Sequence, residues 1–521
     1  MSDKYLMAVD AGTGSVRAVI FDLNGNQIGC VQKEWQHLED PRYPGSMDFD
    51  WKKGWAFAKE CISGVLKETG IKNSSIAAVS TTCMREGIVL YDKDGKEIWA
   101  CANVDARSSD EVIQLKKISE NLEKELYLKS GQTFSLSAIP RLLWVKNKEN
   151  EIYNKTAYIG MFNDWLIYKM SGKLVMEPSN GSTSGLFNLQ TRTFDKSIAQ
   201  KCGLRDDIFP AVQECGTLAA KVSKKGAEET GLAEGTPLIV GGGDAQLGTI
   251  GVGAIKENQG AVFGGSFWQY EFNTKNAELS PNCEIRVNCH VQKDTMQYEA
   301  LAFKPGLVMR WFRDAFCDAQ LKEAEEKGKD VYQIMDEHAV KIPAGSYGML
   351  CTFSDVMNFI SWRHAAPTFT NFDLDPEKFN KYTFYRAILE NTAYITYGHL
   401  KLVKEVTGNM PSYITFAGGA SKSKLWSQIL ADVLGLPVKI PKVKEATALG
   451  AAMIAATGIG IYPSLESAAE KMVKIETTFE PNMELHKKYM EIFTQWEKVY
   501  AAQLKLSDEK ITRYMWSAPG I

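Results

Sequence analysis

Asp10 and Asp244 stand out, because each is an acidic side chain beside a run of glycine and small residues. Asp10-Ala11-Gly12-Thr13-Gly14-Ser15 lies between the apolar runs 6–9 and 16–21, and Gly241-Gly242-Gly243-Asp244 follows the apolar stretch 238–240. Glycine lets a backbone approach a phosphate closely and aim its N–H groups at it. An aspartate at the end of a strand can hold magnesium or take a proton. Two such sites far apart in one chain predict phosphate chemistry in a cleft between two halves.

The elements that must position these loops read from periodicity and turn residues. Residues 4–10, 16–23 and 27–35 read as strands, with Asn24-Gly25 as a two-residue hairpin signal. Strands at 76–82 and 88–92 follow helical stretches, and Asp94-Gly95 marks another turn. The alternation continues to about residue 255, which gives an α/β class. The second half restarts with a similar device. Residues 260–264 are strand-like, Gly264-Gly265-Ser266 is a tight turn, and 267–272 are strand-like again, a weak repeat of the first hairpin. A short strand at 414–416 runs into Gly418-Gly419. Ser421 is expected to cap the next helix, whose stripe is Leu425, Trp426, Ile429, Leu430, Val433 and Leu434, with Gly435 as its stop. The segment 444–458 is helical and rich in alanine and glycine, for close packing or for shaping a nucleotide pocket. Residues 506–521 read as a surface extension.

At 521 residues the chain exceeds one ordinary core, so two or more domains are expected. Its 45% hydrophobic and 24% charged residues fit a globular chain. The formal net charge is −3, and no basic stripe argues for nucleic acid or a membrane surface. The longest weakly polar stretch, 446–462, is too short and small-sided to span a bilayer. Asp3 and Lys4 lead straight into a strand, which leaves no room for a cleavable signal peptide. The ten cysteines include no CxxC pair, and reduced cytoplasmic thiols are the expectation. Cys283, Cys289 and His290 lie close together, but their spacing fits no metal or disulfide pattern. His338 and His364 read as solvated or packed residues.

Five segments, in order, resemble the FGGY carbohydrate kinases. They are 10–17, Gly243-Asp244-Ala245-Gln246, 299–314 (with Gly306 and Trp311-Phe312-Arg313-Asp314), Phe416-Ala417-Gly418-Gly419, and Glu445-Ala446-Thr447-Ala448-Leu449-Gly450-Ala451-Ala452. The resemblance covers nearly the whole chain. It implies an α/β fold of two ribonuclease-H-like (actin/hexokinase-type) domains around a central cleft. Residues 1–255 would carry the acceptor and the first phosphate loop, 256–505 the nucleotide, and 506–521 an extension. The implied cofactors are ATP and Mg²⁺. Closer likeness to one subgroup rests on 83–87, 99–107, 137–144 and 309–317. It implies (S)-4,5-dihydroxypentane-2,3-dione, a quorum-sensing signal precursor, as acceptor at its terminal hydroxyl. The rival readings are a pentulose or glycerol kinase of the same family and an actin-like ATPase.

The resemblance also implies roles. Asp10 would hold magnesium, and Thr13, Gly14 and Ser15 would face the phosphates. Arg17 would add charge there or sit as a surface residue at a strand end. Asp244 would be the general base that takes the hydroxyl proton, with helix capping as its plainer reading. Arg85 and Glu86 would grip acceptor hydroxyls together, joined by Gln246. Ser266, Gly306, Gly418, Gly419 and Ser423 would line the nucleotide. Asn103, Asp105 and Arg107 would contact the substrate or brace a loop, while Trp268 and Trp311 are expected in the core. Three departures from the family pattern are Gly265 for a threonine, Arg310 for a glutamine and Arg141 for a lysine. The first would pass a phosphate contact to Ser266. The family also admits control by a phosphotransferase-system carrier protein, which no residue here locates, and oligomeric state is not legible.

Overall fold

A computed structural model describes residues 4–276 and 278–521; Asp3 lies outside the described residues. The first half is built on a six-stranded sheet. Its order is Leu218–Lys221, Pro237–Gly243, Ile76–Cys83, Tyr5–Ala11, Ser15–Asp22, Gln27–Glu34. The last three form an antiparallel meander, and Tyr5–Ala11, Ile76–Cys83 and Pro237–Gly243 run parallel. The parallel strands are apolar on both faces because helices cover both sides. Gly25 sits in the left-handed region at φ 78°, as the Asn24-Gly25 turn requires.

The second half repeats this plan in a seven-stranded sheet. Gly260–Gly264, Trp268–Thr274 and Met296–Ala302 form the meander, and Gly260–Gly264 continues in parallel to Ile414–Ala417 and Val438–Pro441. Arg286–Cys289 and Ile475–Phe479 close the two edges. The repeat expected from the hairpins is therefore a repeat of whole sheets, and the fold is the expected α/β pair.

The halves join through two helices, Asp244–Gly251 and Ala446–Gly458, which share one apolar cluster containing Leu247, Ile250, Ala448, Leu449 and Ala452. A Cβ at Gly450 would run into the Leu247 carbonyl, and one at Gly251 into the Ala446 carbonyl. The small residues of 444–458 thus serve close packing.

Two local expectations change. The helix Lys424–Leu434 is capped by Ser423, whose Oγ accepts from the Trp426 N–H at 2.9 Å. Ser421 falls in a short 3₁₀ turn, Gly419–Lys422, because the chain makes one more tight turn after the glycines. The tail read as a surface extension is tied to the fold: Met483–Asp508 is one helix, and Tyr514–Ser517 pairs with Arg363–Ala365. Among the described residues no helix is long and apolar enough to cross a membrane. All ten cysteines are free, and Cys283 and Cys289 are buried.

Candidate active site

Three adjacent parallel strands end on one edge of the first sheet, and open α/β sheets place their sites at such ends. Asp10 is the penultimate residue of Tyr5–Ala11, Arg85 and Glu86 follow Ile76–Cys83, and Asp244 follows Pro237–Gly243. Strand pairing alone therefore gathers them. Gly243 takes the cap position of the helix Asp244–Gly251, and Asp244 is its first residue, with Oδ1 accepting from the Ala245 N–H at 2.7 Å. The glycines before it are crowded by protein: a Cβ at Gly243 would meet Gln246 Oε1 at 2.6 Å and the Arg85 stem at 3.1 Å. Here glycine admits neighbouring side chains.

Arg85 Nε donates to Asp244 Oδ1 at 2.9 Å, and its Nη1 donates to Glu299. Glu86 turns away from Arg85. Its Oε1 lies 2.5 Å from Arg286 Nη1, and its backbone sits at φ 63°, a conformation uncommon for non-glycine residues. Arg85 and Glu86, expected to grip acceptor hydroxyls together, are each ion-paired to a residue of the second half, Glu299 and Arg286. The Asp244 side chain keeps 40% of its surface exposed, enough for an acceptor to reach it. Enclosure raises its pKa above the ordinary carboxylate value against the pull of Arg85, and Glu86 adds to the rise. That direction suits a group that must accept a proton. Gln246 is fully buried, with neither amide atom hydrogen-bonded. A buried amide left unpaired is costly unless a ligand completes it.

Asp10 is buried, with Arg17 Nε 3.5 Å from Oδ2 and Oδ1 unpaired. Burial pushes its pKa to about 7; Arg17 opposes this, and the Asp244 and Glu445 charges add to it. Arg17 is accounted for: Nη1 holds Glu445 at 2.5 Å across the two halves. A buried carboxylate oxygen without a protein partner fits a hard cation. Among the described residues no three acidic, histidine or cysteine side chains converge. The hairpin after Asp10 is braced from behind. The Thr13 carbonyl accepts from Trp35 Nε1 at 3.0 Å, and Thr13 Oγ1 donates to Asn103 at 3.2 Å. Gly14 has open space where a Cβ would project, whereas the Ser15 side chain is buried.

A cavity of about 590 Å³ in the second half brings together Ser266, Gly306, Gly419 and Ser423 with Arg310, Arg313, Asp330, Tyr332 and Lys422. Gly418 lies beneath it at φ 96°, where a Cβ would strike the Gly264 carbonyl. Gly419 has nothing within reach of an added Cβ, so open space lies at 419 and not at 418. The Ser423 hydroxyl is already committed, donating to Asp336 Oδ2 at 2.7 Å while capping its helix. Trp268 is buried and stacked on Trp426 as expected. Trp311 is 51% exposed, which corrects its core assignment: it occupies the outer face of the amphipathic helix Pro305–Phe316.

Asn103, Asp105, Arg107 and Arg141 brace loops. Asp105 accepts from the Met47 N–H at 2.6 Å and from Arg107 Nε at 2.8 Å, and Arg107 lies over Trp144. Arg141 holds the carbonyls of Glu86 and Asn103. Arg286, Glu299 and Glu271 were missed by sequence reasoning. They face each other across the second sheet: Glu271 and Arg286 are both register partners of Glu299. The available signal was polar side chains at alternate strand positions, in Arg286/Asn288 and Glu271/Asn273.

Profiles of the FGGY family of carbohydrate kinases match residues 5–251 (N-terminal domain) and 285–459 (C-terminal domain). The chain is 49% identical over 521 residues to proteins named autoinducer-2 kinase from Yersinia enterocolitica, Salmonella typhimurium and Escherichia coli K12, covering 100% of this chain and 98% of each relative. Solved structures of similar fold include xylulose kinase from Rhodospirillum rubrum, with a TM-score of 0.86 at 20% identity over 96% of this chain and 99% of that one. Plasmodium falciparum glycerol kinase with ADP gives 0.82 at 18% identity, over 96% and 98%. At those identities the likeness is one of fold.

Proposed function

The chain belongs to the FGGY family of carbohydrate kinases, and on that premise we propose that it is an ATP- and magnesium-dependent autoinducer-2 kinase working in the cytoplasm. It transfers the γ-phosphoryl group of ATP to the terminal hydroxyl of (S)-4,5-dihydroxypentane-2,3-dione, giving the 5-phosphate and ADP. The observation that carries this reading is 49% identity to autoinducer-2 kinases along the entire chain. On this reading residues 1–255 serve the acceptor and the first phosphate loop, and 256–505 serve the nucleotide.

Phosphoryl transfer asks for positioning and charge neutralisation more than covalent chemistry. Asp244 takes the hydroxyl proton as the oxygen attacks phosphorus, while Arg85 fixes the carboxylate through Oδ1. Glu86 and Gln246 accept from and donate to the remaining acceptor oxygens. Thr13, Gly14 and Ser15 face the transferred phosphate from the first half and Ser266 from the second. Asp10 would hold magnesium, which supplies positive charge beside the phosphates. Gly306, Gly418, Gly419 and Ser423 shape the adenosine wall. Control by a phosphotransferase-system carrier protein is part of the proposal, read by adding such a carrier to the assay.

The test is an acceptor panel with ATP and magnesium, read by ADP release. The dione should be phosphorylated well above glycerol, xylulose or ribulose. Preference for one of those sugars replaces the proposal with another FGGY kinase, and ADP release without any acceptor replaces it with an ATPase.

A further inference from the structure

Arg286 lies outside the residues assigned above, yet it is joined to the acceptor site by a continuous chain of ion pairs. Asp244 is bound by Arg85, Arg85 by Glu299, and Glu299 Oε1 by Arg286 Nη1 at 3.1 Å. The same Nη1 is 2.5 Å from Glu86 Oε1. Arg286 Nε is engaged too, donating to Gln132 Oε1 at 2.8 Å. Only Nη2 has no partner, although the side chain is 1% exposed. A guanidinium presents its donors in a rigid planar fork, so two anchored nitrogens fix where the third points.

The other orphaned buried atoms around this chain are complementary. Gln246 offers an unpaired donor and an unpaired acceptor, and Glu271 has two unpaired oxygens. Electrostatic coupling ties Glu271 to Arg85, Arg286 and Asp244. Burial raises the Glu271 carboxyl to about 8, so at neutral pH it holds a proton and is itself a donor. Together the unpaired set presents donors at Arg286 Nη2 and Gln246 Nε2 beside acceptor oxygens on Gln246, Glu86 and Glu271. Such a set is completed by a small ligand that combines carbonyl oxygens with hydroxyls.

We infer that Arg286, supplied by the second half, is an acceptor-binding residue whose free Nη2 donates to a carbonyl oxygen of the substrate and so selects keto acceptors over plain polyols. Gln132 is its positioning residue. The inference deepens the kinase reading above and rests on it.

The experiment compares Arg286→Lys with the wild-type full-length protein on dihydroxypentanedione, ribulose and glycerol. Lysine keeps the charge for Glu86 and Glu299 but has no second planar nitrogen. The KM for both carbonyl acceptors should rise by about tenfold or more, the loss expected when a site built to hydrogen-bond a group loses that bond. The KM for glycerol and for ATP should stay within about twofold, well short of that loss. Equal loss on all three acceptors, or an unchanged ratio of carbonyl acceptor to glycerol, overturns the inference and leaves Arg286 a prop for Glu86. Gln132→Met frees Nε without touching either carboxylate. It should shift the same ratio in the same direction by a smaller factor, and an unchanged ratio there also counts against the inference if the lysine variant does not fold. Preference for ribulose over the dione in the wild type would sink the autoinducer-2 reading alone, because the ratio to glycerol would still judge Arg286.

Discussion

The hairpin after Tyr5–Ala11 and the hairpin after Gly260–Gly264 occupy the same place in two sheets of the same plan, yet they carry opposite chemistry. In the first, Asp10 stands in the penultimate strand position with Arg17 as its register partner. In the second, that position is Phe263, opposite Gln269. The first half thus concentrates charge at its strand ends, with Asp10, Arg85, Glu86 and Asp244 in one group. The second offers an uncharged turn, Gly265-Ser266, leading to an open cavity. Duplicated topology gives two loops that can face one phosphate chain. Which loop carries charge and which borders the cavity is set by a few side chains. The second half also lends charge back, since Arg286 and Glu299 complete the pairs of Glu86 and Arg85.

The largest expected effect tests the charged side. Asp244→Asn keeps shape and one hydrogen-bond acceptor but cannot take the proton at neutral pH, so kcat should fall about 10²–10⁴-fold. ATP binding and thermal stability should survive, because the cavity lies in the other half. Turnover above about a tenth of wild type, far from a general-base loss, would move the base elsewhere.

Next comes Glu86→Ala, which removes a partner of the buried Arg286 as well as an acceptor contact. A loss in kcat/KM worth roughly 2–4 kcal/mol is expected, as for a buried charged hydrogen bond. ATP affinity should barely change. Equal losses in ATP affinity and acceptor turnover would dissolve the division of labour between the halves.

Two glycine substitutions separate joint from wall. Gly450→Ala drives a Cβ into the Leu247 carbonyl and forces the joining helices apart. It should lower stability by about 1–3 kcal/mol, the range for overpacking, seen as a drop in Tm. Gly419→Ala meets open space, so Tm should hold while KM for ATP rises. Reversed outcomes would exchange the assigned roles.

The smallest effect is a pH slope. Asp10 holds its proton up to about pH 7 when folded but releases it near 3.8 when unfolded. The folded chain therefore binds the extra proton between those values, and stability falls as pH rises from about 4 to about 7. Asp10→Asn should flatten that part of a Tm-against-pH curve recorded without magnesium. A slope identical to wild type would show that Asp10 titrates normally.

Much of this was legible locally. The meander strands, the Asn24-Gly25 turn and the amphipathic stripe of Lys424–Leu434 follow from spacings of two to four residues, which the chain carries wherever it folds. Asp10 and Asp244 were visible because a carboxylate at a strand end among small residues is rare in a structural strand. The partners of Arg85 and Glu86 were not visible. Neighbours in sequence point to different sides of the backbone, and a buried charge is satisfied by whatever the next strand brings. Glu299 is 214 residues from Arg85, and no local pattern encodes that meeting. The same reason explains the glycines before Asp244, whose need is set by Gln246 and Arg85 folding over them, and the tail strand, which exists only because Arg363–Ala365 offers an edge. Sequence by itself determined the elements, the strand-end carboxylates and the family; tertiary structure decided which charges pair, because pairing depends on distances through space that chain spacing does not set.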